Sequence, residues 1–286
     1  LPTYNSDLNF LTQAIESVKG QSYLNWQLCI ADDASSNDAL IDYLEDIEKD
    51  EKISVIYRDT NGHISAATNS ALSLADGEFI TFLDHDDKLH PHALAAVVSY
   101  LNEDKELDIL YSDEDKIDQH GNRRDPYFKP GWSPDLLLSQ NYICHLSVYR
   151  KTLIDGLKGI RAGTEGAQDY DLILRATEQT NKIKHIPHVL YHWRSIAGST
   201  ALGAQEKDYA HEKAIEVLSA AVARRKLSAE ILDTDLGAYH RVRYNLPSAL
   251  PKASVIIPTK DRIDLLGTCL EGLQKKTDYK NLKLSC

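Results

Sequence analysis

Along the first hundred residues the apolar positions switch repeatedly between two spacings. Phe10, Leu11, Ala14, Ile15 and Val18 recur at helical spacing, as do Leu40, Ile41, Leu44 and Ile47, the apolar positions of residues 64–74, and Leu94, Val97, Val98 and Leu101 after Pro91. Between them lie short apolar runs at residues 26–31, 53–57 and 79–83, each of strand length. Strands alternating with helices of this length predict βαβ units and an α/β fold, an open, mostly parallel sheet flanked by helices.

Beyond residue 105 the alternation loosens. Residues 107–111 read as a strand, and the acidic run Ser112-Asp113-Glu114-Asp115-Lys116 reads as a solvated loop ahead of an acceptor or second-ion site. Residues 119–135, rich in Gly, Pro and charge, predict a long loop, 141–149 and 185–193 extended segments, and 169–178 and 204–226 helices. Residues 227–252, with Gly237, Pro247 and Pro251, read as a linker. The tail then repeats the opening. Ile257-Pro258-Thr259 matches Leu1-Pro2-Thr3, Leu265-Leu266 and Cys269-Leu270 match Phe10-Leu11 and Ala14-Ile15, and the proline-to-tyrosine spacing is 21 residues in both copies. Shared spacing and residue types favour duplication. The expected organisation is a first domain over 1–226, with its first strand truncated, a linker over 227–252, and the opening β-α segment of a second, truncated domain over 253–286. A chain that begins on Leu1-Pro2 and holds no methionine reads as a piece of a longer protein.

Composition narrows the class. The 286 residues are 42% hydrophobic and 26% charged, with a formal net charge of −11, which argues against a nucleic-acid-coating protein. The four cysteines form no CxxC pair; Cys29 and Cys269 lie in apolar segments and read as buried thiols, and a reducing, cytoplasmic compartment fits. No apolar run approaches the length of a bilayer span, which leaves room for peripheral contact with the inner face of the cell membrane.

The candidate chemistry begins where an apolar run ends in acids, at Phe79-Ile80-Thr81-Phe82-Leu83-Asp84-His85-Asp86-Asp87. In open α/β sheets ligands bind outside the carboxyl ends of the strands. Clustered carboxylates repel unless a cation or hydrogen bonds compensate, and Mg²⁺ or Mn²⁺ shared with a diphosphate would do so. The plainer reading is a solvated helix start, with Asp87 as its cap.

Five motifs in order decide between these readings: Pro2-Thr3-Tyr4-Asn5, Ile30-Ala31-Asp32-Asp33-Ala34-Ser35, Asn61-Gly62 through Asn69, Leu83-Asp84-His85-Asp86-Asp87, and Gln168-Asp169-Tyr170-Asp171. Together they resemble family 2 glycosyltransferases of the GT-A fold over roughly residues 1–200. The linker and tail resemble the tandem glycosyltransferases of bacterial surface-polysaccharide synthesis. The resemblance implies an inverting, metal-dependent hexosyltransferase that moves a sugar from a UDP- or dTDP-sugar to a glycan acceptor, expected to be lipid-linked.

The same resemblance assigns residues. Pro2, Thr3, Tyr4 and Asn5 line the nucleotide, with Thr3 and Tyr4 on base and ribose; Asn5 or Ser6 would also suit a helix cap. Asp33 accepts a hydrogen bond from the pyrimidine N–H, while Asp32, like Ser35 and Ser36, suits capping. Asn61 and Gly62 shape the turn before the next helix. Thr68 stands where many members carry an arginine before the position of Asn69, which makes Arg58 a candidate cation. Asp84 serves the ribose or the metal and Asp86 the metal. Asp169 is the general base, and Asp171 with Arg175 forms a helix ion pair. His192 completes the metal shell, although the commoner pattern would put a histidine at the position of Ile196. Trp193 is a core residue or a sugar platform. A nucleotidyltransferase and a non-catalytic nucleotide-sugar-binding module are the rival readings.

Overall fold

The carboxyl ends of two sheets carry the residues of interest. The computed structural model describes residues 1–195, 204–232, 234 and 239–285, so Ile196 and Gly237 lie outside the described residues. Two units separate, Leu1–Arg243 and Tyr244–Cys286.

In the first unit, β1 (Pro2–Thr3), α1 (Leu8–Lys19), β2 (Leu28–Asp32), α2 (Asp38–Ile47) and β3 (Ile53–Tyr57) build a parallel three-stranded sheet in the order β1-β2-β3. The helical periodicity is explained by burial: Leu11, Ala14, Ile15 and Val18 of α1 and Leu40 and Leu44 of α2 pack against Leu28, Ile30, Ile53 and Val55. Asp7 caps α1, accepting from the Asn9 and Phe10 N–H groups at 2.9 and 3.1 Å, and Asn37 caps α2. Asn5, Ser6, Asp32, Ser35 and Ser36, the residues suited to these caps by type, are released for other contacts.

After α3 (His63–Ser73), strands β4 (Phe79–Thr81) and β5 (Lys88–Leu89) and α4 (Ala93–Glu103) lead into β6 (Ile109–Ile117) and β7 (Arg123–Tyr127). Then come α5 (Pro134–Ser139), β8 (Ser147–Arg150), α6 (Lys151–Leu157), α7 (Gln168–Ala176), β9 (Ile183–Arg194) and α8 (Ala204–Arg224). The second sheet runs β4-β8-β6-β9-β5, with β7 beside β6; only β6–β9 is parallel within it. The parallel character expected from the alternation therefore belongs to the first sheet, and the looser pattern after residue 105 produces a mixed one. Its far side is covered by Tyr170, Leu172, Ile173 and Leu174 of α7 and Val217, Leu218 and Ala221 of α8. A cavity of about 770 Å³ between β2 and β4 is lined by Cys29, Ala71, Ile80 and Val97 and by none of Asp84, Asp86, Asp87 or Asp169.

Four further expectations change. The acidic run 112–116 is not a solvated loop but the continuation of β6, with Asp113, Glu114 and Asp115 buried. Residues 119–135 hold β7 and the start of α5, which Ser133 caps with Pro134 at the first helical turn. Residues 141–146 precede β8 rather than belonging to it. The linker interval also holds β10 (Ala229–Leu232) and β11 (Arg241–Tyr244), paired in a two-stranded sheet.

The second unit is a parallel βαβ element of β12 (Ala253–Ile256), α9 (Ile263–Lys275) and β13 (Leu282–Ser285). Ala253 faces Leu282 as Pro2 faces Ala31, so the first strand meets the second 29 residues on in both copies. No residue of α9 is buried, and Cys269, expected inside, is exposed.

Candidate active site

The carboxyl ends of β1 and β2 fold into one bonded loop cluster. Thr3 Oγ1 and Ser6 Oγ share a buried hydrogen bond of 2.7 Å. Asn5, at φ 44°, donates its N–H to Ser35 Oγ and accepts from the Ser36 N–H at 2.9 Å, which ties the two loops together. Asp33 is 2% exposed; its Oδ1 accepts from Arg58 Nε at 2.6 Å and from the Gly62 N–H at 3.0 Å, while Asn61 Nδ2 reaches the Asp33 carbonyl. A Cβ on Gly62 would sit 2.6 Å from Arg58 Nη2 and 2.8 Å from Ala66 Cβ, so a larger residue here would force the Arg58 guanidinium or the start of α3 to shift. Tyr4 stands out at 51% exposure. Pro2, Thr3, Tyr4, Asn5, Asp33, Asn61 and Gly62 are thus brought together, with Arg58 supplying the cation on Asp33. Asn69, in contrast, clamps the chain, bonding the carbonyl and the N–H of Ile160 at 2.8 and 2.9 Å.

Past β4 the acids separate by role. Asp87 is fully buried: its Oδ2 accepts from the Tyr191 hydroxyl at 2.6 Å and its Oδ1 from the Arg194 N–H at 2.7 Å. It is neither solvated nor a cap. The Asp86 carbonyl accepts from Arg194 Nε at 2.6 Å, and the Arg194 guanidinium lies 4.6 Å over the Phe10 ring and bonds Gln13. Asp84 Oδ2 lies 3.7 Å from Nε2 of His145, whose ring stacks on Tyr191 with centroids 4.5 Å apart. Ligand-capable atoms of Asp84, Asp87 and His145 fall within 4.8 Å of one another. Burial, with the neighbouring carboxylates adding, pushes Asp87 well above the usual carboxylate range and Asp86 above it. Two carboxylates and an imidazole match a divalent ion that accepts oxygen and nitrogen donors, such as Mn²⁺, and the shell would be completed by water or phosphate.

His192, expected at the metal, is placed elsewhere. Tyr191 and Trp193 meet the His145 ring, and alternation along β9 turns His192 to the opposite face, where its Nδ1 donates to Asp115 Oδ1 at 2.6 Å. Asp115 also accepts from Arg123 at 2.5 Å, and Asp113 accepts from His185 at 2.7 Å. Glu114 accepts from the fully buried Lys129 at 3.0 Å. The acidic run is therefore an internal scaffold. Lys129 also donates to the Ile143 carbonyl at 2.8 Å and to the His145 carbonyl, which anchors the segment carrying His145.

Asp169 lies in the first turn of α7. Its Oδ2 accepts from Asn141 Nδ2 at 2.7 Å and faces Cys144 Sγ at 3.6 Å. Burial pushes the Cys144 thiol well up, so it stays a neutral donor. Asp171 pairs with Arg175 at 2.7 Å, as the helical spacing anticipates, and with Arg161 at 2.6 Å. Sequence reasoning missed His145, Asn141, Tyr191 and Arg194. Segment 141–146 therefore joins Asp169 at one end to Asp84 at the other.

Residues 1–157 match the family described as Glycosyl transferase family 2. The chain belongs to that family. The family 2 chain is 40% identical over 288 residues to the uncharacterized protein y4gI of Sinorhizobium fredii (strain NBRC 101917 / NGR234), covering 99% of this chain and 32% of that one. It is 38% identical over 284 residues to the O-antigen biosynthesis protein RfbC of Myxococcus xanthus, covering 99% and 22%. It spans about a third or less of these relatives' lengths. The crystal structure of S. aureus TarS 1–349 in complex with UDP-GlcNAc superposes with a TM-score of 0.63 at 20% identity, covering 77% of this chain and 64% of that one. The fold is GT-A, as the motif order implied.

Proposed function

We propose that this family 2 domain catalyses inverting transfer of a sugar from a UDP- or dTDP-sugar to a hydroxyl of a growing glycan in bacterial surface-polysaccharide synthesis. The observation that carries the reading is the joining of Asp169 to the Asp84–Asp87–His145 cluster through the single segment 141–146. The nucleotide would lie on the loops of Thr3, Tyr4, Asn5 and Gly62, with Asp33, fixed by Arg58, meeting the pyrimidine. Asp84, Asp87 and His145, whose ligand atoms converge, would hold Mn²⁺ or Mg²⁺, with Asp86 outside that set. The ion, when bound, offsets the diphosphate charge as the glycosidic bond breaks. Asp169 takes the acceptor proton as the acceptor oxygen attacks, and the leaving nucleoside diphosphate keeps the bonding electron pair.

Relatives with surface-polysaccharide names and the UDP-GlcNAc bound in TarS support the donor and setting. No described helix is long and apolar enough to cross a membrane, which is compatible with a lipid-linked acceptor met at the cytoplasmic face. The shared 29-residue strand register supports reading the second unit as the opening of another GT-A domain.

Calorimetric titration of UDP, dTDP and GDP, with and without Mn²⁺, tests this. UDP or dTDP should bind in a Mn²⁺-dependent way, and Asp84→Ala and His145→Ala should each weaken that binding by about 10-fold or more. Binding indifferent to Mn²⁺ and to both substitutions would remove the cation from the site.

A further inference from the structure

A carboxylate base has two oxygens, and only one can face the substrate productively. In this chain a neighbouring amide holds one of them. Asp169 Oδ2 accepts from Asn141 Nδ2 at 2.7 Å and lies 3.6 Å from Cys144 Sγ. Among the described residues no hydrogen bond reaches Asp169 Oδ1, and the residue is only partly buried. The amide is itself oriented: Asn141 Oδ1 accepts from the Cys144 N–H at 3.5 Å, and a carboxylate can only accept, so the NH₂ end must face Asp169. Lys129 then fixes the segment by holding the Ile143 carbonyl.

Resting on the assignment of Asp169 as base, we propose that Asn141 is a positioning residue for the transfer step. It pins Oδ2, turns Oδ1 toward the acceptor hydroxyl, and so determines which oxygen takes the proton. In the step, the acceptor O–H bond breaks toward Asp169 Oδ1. The acceptor oxygen's electron pair forms the new bond to the anomeric carbon, and the old carbon–oxygen bond pair leaves with the nucleoside diphosphate. Asn141 neither gains nor loses a proton. Its contribution is orientation, and a misplacement of about 1 Å at a reacting group costs on the order of 100-fold.

The test measures steady-state transfer in Asn141→Ala, the isosteric Asn141→Asp, and Asn141→Ser, which keeps a donor. The donor is the UDP-sugar that turns over most rapidly among UDP-GlcNAc, UDP-glucose and UDP-galactose. Asn141→Ala and Asn141→Asp should lower kcat by roughly 10- to 100-fold, with donor KM held within about 2-fold and part of the loss recovered by Asn141→Ser. A merely structural role would move KM and kcat together, and that outcome overturns the proposal, as does an unchanged kcat. Should Asn141→Ala fail to fold, Asn141→Asp decides alone. Asp169→Asn is run beside them. If it loses transfer while the Asn141 variants keep the kcat of the unmodified protein, only the positioning role falls; if it retains activity, or no donor turns over, the base assignment falls and takes this proposal with it.

Discussion

Asp169→Asn is expected to lower sugar transfer by about 10²- to 10⁴-fold, the usual contribution of a general base, while UDP binding stays within about 2-fold of the unmodified protein. The substitution is isosteric, and the new amide oxygen can still accept from Asn141 Nδ2, which now bonds Oδ2 at 2.7 Å. What disappears is the oxygen able to take the acceptor proton. Asp169 also sits in the first turn of α7, where its charge favours the helix macrodipole. That effect is worth about 0.3–1 kcal/mol and is too small to unfold the domain. Transfer followed by UDP release, together with calorimetric UDP binding, separates the two roles. Transfer within about 3-fold of the unmodified protein would leave Asp169 a helix-end charge and favour a non-catalytic nucleotide-sugar-binding module.

The residues at the strand ends were legible because two signals coincide there. An apolar run fixes the strand, and the polar residues that end it can only lie at the sheet's edge. This holds for Asp33 and Asp84, whereas Thr3 follows only Leu1-Pro2 and is placed by the motif resemblance. The rest of the site depends on partners far away in sequence. Asp113, Glu114 and Asp115 look solvated in isolation, and their burial becomes tolerable only through His185, Lys129, His192 and Arg123. Segment 141–146 contains Tyr142, Ile143 and Leu146, whose apolar character imitates a strand, and nothing local distinguishes His145 as site-facing. Residues 185–193 are extended throughout, inside β9. Alternation alone said that His192 and Trp193 face opposite ways, but not which face held the carboxylates.

Lys129→Met is expected to destabilise the first unit by about 3–5 kcal/mol, the cost of breaking a buried ion pair by removing one partner. The lysine side chain is fully buried, and its ammonium bonds Glu114 at 3.0 Å, the Ile143 carbonyl at 2.8 Å and the His145 carbonyl. Methionine fills the volume but leaves Glu114 charged, with the His145 N–H at 3.2 Å as its one remaining donor among the described residues, and leaves two carbonyls without this partner. For a unit of this size the melting temperature should fall by roughly 6–20 °C, read by circular dichroism. The double variant Lys129→Met, Glu114→Gln should recover part of the loss, because the uncompensated charge is gone. A fall below about 2 °C would show that the pair contributes little. The carbonyls held by Lys129 also belong to the residues that aim the imidazole at Asp84. The folded fraction of the variant should therefore bind UDP with a weaker Mn²⁺ response. Full Mn²⁺ dependence in a clearly destabilised variant would mean that stacking of His145 on Tyr191 suffices to orient the ring.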